Sequence, residues 1–200
     1  MKQLLVGSNN KGKLKEIRAL LDNVNVRLLT PDELHLNLHV EEDGKTYVSN
    51  AEKKAIAFAR ASGLVSLADD SGLEVDALHG APGLHSARYL VKPGATDADR
   101  RAYLLQNLKE KPRPWTARFR ATVAIALPNG SVQFAEGQCE GEIMPEERGT
   151  GGFGYDPIFL IPELNRTMAE LSMNEKNRLS HRARAIINAR PILYSIFDLE

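Results

Sequence analysis

A short polar turn, Gly7-Ser8-Asn9-Asn10-Lys11-Gly12-Lys13, separates the apolar run Leu4-Leu5-Val6 from the series Leu14, Ile17, Leu20 and Leu21. Apolar residues spaced at three and four mark the buried face of a helix, so the stretch predicts strand, tight turn, helix. Such a turn aims backbone N–H groups and the positive end of the helix dipole at one point, which suits phosphate. Two lysines in the first turn oppose the dipole of an empty helix, and a bound anion removes the conflict. The same residues fit G-x-x-x-x-G-K, the start of a P-loop, but Leu14 stands where that signature needs Ser or Thr to hold magnesium. A phosphate cradle follows; a P-loop does not, and a surface turn with solvated lysines is the competing reading.

The 200 residues, 42% of them hydrophobic, suit one globular domain, alone or in two lobes. The charge balance, 26 basic against 26 acidic residues, argues against a surface spread for nucleic acid polymers. A single cysteine, Cys139, excludes an internal disulfide and a cysteine metal cluster. No apolar run reaches the roughly 18 residues of a membrane span and no secretory leader is apparent, so a cytoplasmic protein is expected.

Further along, Leu34, Leu36, Leu38 and Val40 alternate with polar residues, predicting a half-buried strand that ends at Glu41-Glu42. His35 and His39 fall on its exposed face and make a poor metal pair. A carboxylate at the strand's end, beside a phosphate site, can hold Mg²⁺; a solvated turn is the alternative. Thr46 to Ala61 reads as a helix stopped by Gly63, with Asn50 and Lys54 one turn apart on it. Leu64 to Ala68 is an apolar strand predicted to end in a turn, Asp69-Asp70-Ser71-Gly72. Open α/β sheets place ligands at such strand ends. Successive side chains of extended backbone point opposite ways, so one aspartate faces a substrate while the other braces the turn. The first could hold Mg²⁺ and accept a proton from water, unless both are simply turn formers.

Arg88, after the loop His79 to Gly83, is a candidate phosphate clamp. Thr96 and Asp99 resemble a capping box for a helix through Lys109. Thr116 to Leu127 predicts a long strand, and Pro128-Asn129-Gly130 turns it into a second one through Val132 and Phe134, so the sheet is mixed with an antiparallel portion. In Gly149 to Phe159, four glycines among six residues permit close backbone approach, and Phe153 and Tyr155 offer faces for a base unless they are tucked into the core. Ser180 is a plausible cap for a last helix buried along Ala183, Ile186 and Ile187, with His181 and Arg182 in its first turn. Pro191 should kink or interrupt that helix near Ile187.

Five blocks in order, S-N-N-K-G-K at Ser8 to Lys13, A-D-D-S-G-L at Ala68 to Leu73, G-A-P-G-L-H-S-A-R at Gly80 to Arg88, G-T-G-G-F-G-Y-D-P-I-F at Gly149 to Phe159 and S-H-R at Ser180 to Arg182, resemble the inosine triphosphate pyrophosphatase family, the XTP/dITP diphosphatases. The resemblance implies a mixed α/β fold, a long twisted sheet flanked by helices, forming one domain over residues 1–200 in two lobes with a central cleft, and a homodimer. It implies Mg²⁺-dependent hydrolysis of ITP, dITP and XTP to monophosphate and pyrophosphate. By motif, Ser8, Asn9, Asn10, Lys11, Gly12 and Lys13 would hold the triphosphate, supported by Lys54 and Arg88. Asp70 would be catalytic base and metal ligand, with Ser71 beside it and Glu41 as a further metal ligand, Glu42 being close in register. Phe153, Gly154, Tyr155, Asp156, Lys176, His181 and Arg182 would hold base and sugar, forming the cleft wall opposite Gly7 to Lys13.

The chemistry agrees: a triphosphate carries about four negative charges, so lysines and Mg²⁺ are needed before water can approach the α-phosphate. Donors to the six-oxygen of hypoxanthine or xanthine would be left unpaired by adenine, which carries an amino group there. A non-hydrolysing nucleotide sensor, or a P-loop-like NTPase or kinase, are the alternatives, and a sensor has no need of Asp70.

Overall fold

The computed structural model describes residues 2–199. Its elements run β1 (Gln3–Val6), α1 (Lys11–Leu21), β2 (Arg27–Leu29), α2 (Tyr47–Ser62), β3 (Val65–Val75), α3 (Asp97–Leu108), β4 (Thr116–Ala126), β5 (Val132–Ile143), β6 (Phe159–Ile161), β7 (Arg166–Thr167), α4 (Met173–Leu179) and α5 (His181–Phe197). A seven-stranded sheet has the order β2-β1-β3-β4-β5-β6-β7. β1 pairs in parallel with β2 and with β3, whereas β6 is antiparallel to β5 and to β7. The expected mixed α/β sheet with antiparallel pairing late in the chain is what forms.

The chain divides into two compact units. The first comprises residues 1–70, 121–137 and 181–200. On one side its core joins Leu4, Val6 and Leu67 to Ile17, Leu20 and Leu21 of α1 and to Ala183, Ile186, Leu193 and Phe197 of α5. A separate cluster is all alanine at its centre: Ala51, Ala55 and Ala59 of α2 with Ala68, Ala124 and Ala126 of the sheet. Side chains this small let the α2 backbone come close to β3, so short polar side chains on α2 can reach it. The second unit, residues 71–120 and 138–180, has its own core around Leu73, Leu104, Trp115, Phe119, Ile158 and Phe159.

The capping box read at Thr96 and Asp99 opens α3, and Gly63 ends α2 as expected, in the left-handed region at φ 69°; Thr46, read as the first residue of that helix, is instead its cap. Three expectations are corrected. The strand expected from Leu34 to Glu42 does not form: Asp32–Leu34 is a 3₁₀ turn, His35 lies in the left-handed region at φ 53°, and although exposure alternates from Leu34 to Asp43, residues 36–44 pair with no neighbouring strand. β3 does not stop at Ala68; it runs through both aspartates to Val75, because their charges are paired rather than left in an apolar layer. Pro191 lies inside an uninterrupted α5, and Ile187 is 42% exposed rather than buried. A proline there costs about 3 kcal/mol, and burial of Ile186, Ala189, Leu193 and Phe197 on both sides of it outweighs the loss.

Candidate active site

Alternation along β3 decides what each aspartate meets. Leu67 and Asp69 share the face covered by α1 and α5; Ala68 and Asp70 share the face covered by α2. Asp69, 2% exposed, lies 3.1 Å from Lys13 Nζ and accepts from Arg182 Nε at 3.1 Å. Arg182 is itself 2% exposed and donates through Nη1 to Glu16 of α1, so three elements are tied through one buried guanidinium. Asp70 accepts from Asn50 Nδ2 at 3.0 Å and sits 3.5 Å from Lys54 Nζ, which also reaches Glu42 Oε1 at 2.5 Å.

The two carboxyls titrate apart. Burial pushes the Asp70 carboxyl up, and the Lys54 and Lys13 ammoniums and the Asn50 hydrogen bond only partly oppose it. Burial acts the same way on Asp69, but there Lys13 and Arg182, with Lys54 behind them, outweigh it and hold the group well below the usual carboxylate range. Desolvation lowers Lys13 against the pull of Asp69. Desolvation also works against the Lys54 ammonium, but Asp70, Asp69 and Glu42 override it and raise its pKa. Adjacent groups driven apart in this way can divide labour: Asp69 is a fixed counter-ion, and Asp70 is a carboxylate more basic than usual.

The first loop is arranged by its own side chains. Asn10 caps α1 by accepting from Lys13 N–H at 3.1 Å, and Ser8 Oγ accepts from Asn10 N–H at 3.2 Å. Asn9 and Lys11 are exposed, Gly12 is half-buried, and the first turn of α1 carries no acidic residue. The N-terminal end predicted to grip phosphate is therefore solvent-accessible, with no carboxylate in that turn to compete.

In the second unit Asp156 is 3% exposed; its Oδ2 accepts from Lys176 Nζ at 2.6 Å and from Phe153 N–H at 2.8 Å. Lys176 Nζ also lies 5.2 Å from the Phe153 ring centroid, fixing the half-buried ring by a cation–π contact. Gly152, at φ 71°, is required here, because a Cβ would stand 2.0 Å from Asp156 Oδ2. Gly154 N–H donates to Asp97 Oδ2 at 2.8 Å. Tyr155 belongs to the core: it is 4% exposed and donates to the Ser86 carbonyl at 2.9 Å. It offers no face for stacking, unlike Phe153. Ser71 is half-buried and Arg88 exposed.

A family model described as the Ham1 family matches residues 4–192. The chain belongs to the Ham1 family. A protein named dITP/XTP pyrophosphatase from Desulforamulus reducens is 48% identical over 196 residues, 98% of this chain and 97% of its own length. One of the same name from Geobacter sulfurreducens is 48% identical over 187 residues, covering 93% of this chain and 94% of its own. The solved structure of a HAM1 protein from Coxiella burnetii matches with a TM-score of 0.88 at 39% identity, over 98% of this chain and 100% of that one. The Staphylococcus aureus Ham1 protein gives 0.85 at 36% identity, with the same coverage.

Within this Ham1 fold the first unit gathers Lys13, Lys54, Asp70 and Arg182 around β3, and the second gathers Phe153, Asp156 and Lys176. His181, 5% exposed, opens α5 beside Arg182. The sequence reads Asp69 only as one of a pair of which one braces a turn, Glu42 only as the alternative to Glu41, and Asn50 only through its spacing from Lys54; it assigns Glu16 no role. Glu16, four residues before Leu20, lies on the apolar stripe of α1 and so had to be buried with a partner. Among the described residues no three His, Cys, Asp or Glu side chains form a ready-made metal cage, and no helix is long and apolar enough to cross a membrane.

Proposed function

We propose that this chain hydrolyses non-standard purine nucleoside triphosphates, ITP, dITP and XTP, to the monophosphate and pyrophosphate. It is an enzyme of nucleotide metabolism, as its relatives' names indicate. The observation that carries the mechanism is Asp70: a carboxyl raised by burial, flanked by Lys54 and Asn50, one residue from the lysine-bound Asp69. In this reading Ser8, Asn9, Asn10, Lys11, Gly12 and Lys13 grip the triphosphate, and Lys54, Ser71 and Arg88 support it. Asp70 orients a water against the α-phosphate and takes its proton; the new bond is water oxygen to phosphorus, and the bond to the bridging oxygen breaks to release pyrophosphate. Phe153 stacks on the base, while Gly154, Asp156, Lys176, His181 and Arg182 hold base and sugar. Tyr155, being in the core, supports this loop from behind.

Mg²⁺ fits the donor set. Lys54 touches both Glu42 and Asp70, so two hard carboxylates are neighbours, and Mg²⁺ commonly takes only one or two carboxylates along with substrate phosphates and water. Glu42 and Asp70 would hold it; Glu41, the ligand expected by motif, is exposed on the same loop. The ion would neutralise charge on the triphosphate. The protein is further proposed to act in the cytoplasm as a homodimer.

The test is incubation with Mg²⁺ and, separately, ATP, GTP, ITP, XTP and dITP, with identification of products. Monophosphate and pyrophosphate from ITP, XTP and dITP are expected, and Asp70→Asn should bind ITP while losing most turnover. Orthophosphate as product, or equal use of ATP, would overturn the reading.

A further inference from the structure

Asn50 is a polar side chain buried to 1% exposure in the first turns of α2. A buried amide must satisfy both its oxygen and its nitrogen, and here its surroundings dictate which end goes where. The Gly44 backbone N–H lies 2.8 Å from the Asn50 side-chain oxygen. A backbone N–H can only donate, so the oxygen has to face Gly44 and the NH₂ has to face Asp70 Oδ2 at 3.0 Å. One turn along α2, Lys54 repeats the pattern, joining Glu42 of the same loop to the other oxygen of Asp70. Two residues on consecutive turns thus brace the loop against β3.

Glycine at position 44 serves this contact. A Cβ there would stand 2.6 Å from Asn50 Oδ1 and 2.3 Å from Ser49 Oγ, and Gly44 is not among the glycines of positive φ, so space rather than backbone conformation calls for it. The terminal torsion of an aspartate is otherwise broad. A base must present a defined lone pair to its water.

We propose that Asn50 is a positioning residue for Asp70: its amide fixes the carboxylate's rotation by holding Oδ2 as an acceptor, and it makes the loop bearing Glu42 and the base one unit. The inference rests on the reading of Asp70 as the base. It assigns Asn50 a role in kcat with little role in affinity.

The experiment compares wild type, Asn50→Leu, which keeps the volume and loses both hydrogen bonds without adding charge, and Gly44→Ala, which presses on the amide oxygen from the loop. For each, kcat and KM for ITP, the dissociation constant and stoichiometry of α,β-imido-ITP, and the melting temperature are measured with Mg²⁺ present. The expected result is kcat lowered roughly 10- to 100-fold, with the dissociation constant and stoichiometry within about threefold of wild type. A merely structural role would lower the rate and the binding stoichiometry together, and that outcome overturns the proposal. So does a kcat within about threefold of wild type in Asn50→Leu or, where that variant does not fold, in Gly44→Ala. Wild type that releases no pyrophosphate from ITP would instead remove the functional reading, and this proposal with it.

Discussion

Asp69 and Asp70 are adjacent on β3, yet among the described residues they share no hydrogen-bonding partner: Asp69 is held by Lys13 and Arg182, Asp70 by Asn50 and Lys54. Pleating sends the two carboxylates to opposite faces of the sheet, so each has its own hydrogen-bonding partners, while Lys54 still acts on Asp69 and Lys13 on Asp70 through space. Substitution at the two positions should accordingly separate stability from turnover.

Asp69→Asn preserves shape and removes the charge, leaving Lys13 and Arg182 without their shared anion. Removing one partner of a buried ion pair costs about 3–5 kcal/mol, so the variant should be less stable than wild type by that order at pH 7. The sign of the pH dependence follows from the depressed pKa of Asp69. A depressed carboxyl contributes stability that is fully present above its unfolded pKa, about 3.9, and is lost as pH falls through the folded value. The gap between wild type and variant should therefore narrow below about pH 4. Urea denaturation at pH 7, 5 and 3.5 measures it; a gap that stays constant would refute the assignment.

Glu41 and Glu42 are neighbours that only the fold separates. Glu42 is half-buried and bound to the lysine that touches Asp70, whereas Glu41 is exposed. With Glu42→Gln, the Mg²⁺ concentration giving half-maximal hydrolysis should rise at least about tenfold, and with Glu41→Gln it should stay within about threefold. Titration of rate against Mg²⁺ at fixed ITP decides the matter, and the reverse order would return the metal role to Glu41.

The first strand, turn and helix were legible because β1 and α1 are local: the apolar periodicity, the polar turn and the lysine pair all lie within residues 4–21. The aspartate pair stood out as a candidate because carboxylates after a buried apolar strand are chemically unusual, whereas the choice of Asp70 over Asp69 came from the family resemblance. Glu16 and Asn50 find their partners 166 and 20 positions away; the spacing of Asn50 from Lys54 singles it out, but no local pattern names either partner. Residues 34–43 misled for a related reason. Their alternation reports which side chains turn inward, whereas a strand also needs a neighbouring strand, and that depends on the rest of the chain. Tyr155 shows the same limit: an aromatic in a glycine-rich loop can face a ligand or the core, and only the Ser86 carbonyl decides it.

Gly137 on β5 holds the start of α5 in place through absence of bulk. A Cβ there would stand 2.2 Å from the His181 carbonyl oxygen and 2.3 Å from the Ala185 nitrogen, both backbone atoms that cannot rotate away. Gly137→Ala must push β5 and α5 apart, against the bond from Asn188 Nδ2 to the Glu136 carbonyl at 2.9 Å. Overpacking of this kind costs about 1–3 kcal/mol. The displaced turn carries His181 and Arg182, so the guanidinium is drawn from Asp69 and Glu16. Where His181 and Arg182 hold base and sugar, as proposed, weakening one charged hydrogen bond to ITP by about 1.5–3 kcal/mol should raise KM roughly tenfold or more, in addition to the loss of stability. Steady-state kinetics together with thermal denaturation test this: a variant that melts earlier but keeps its KM would show that the close contact supports the fold without placing His181 and Arg182 for the substrate.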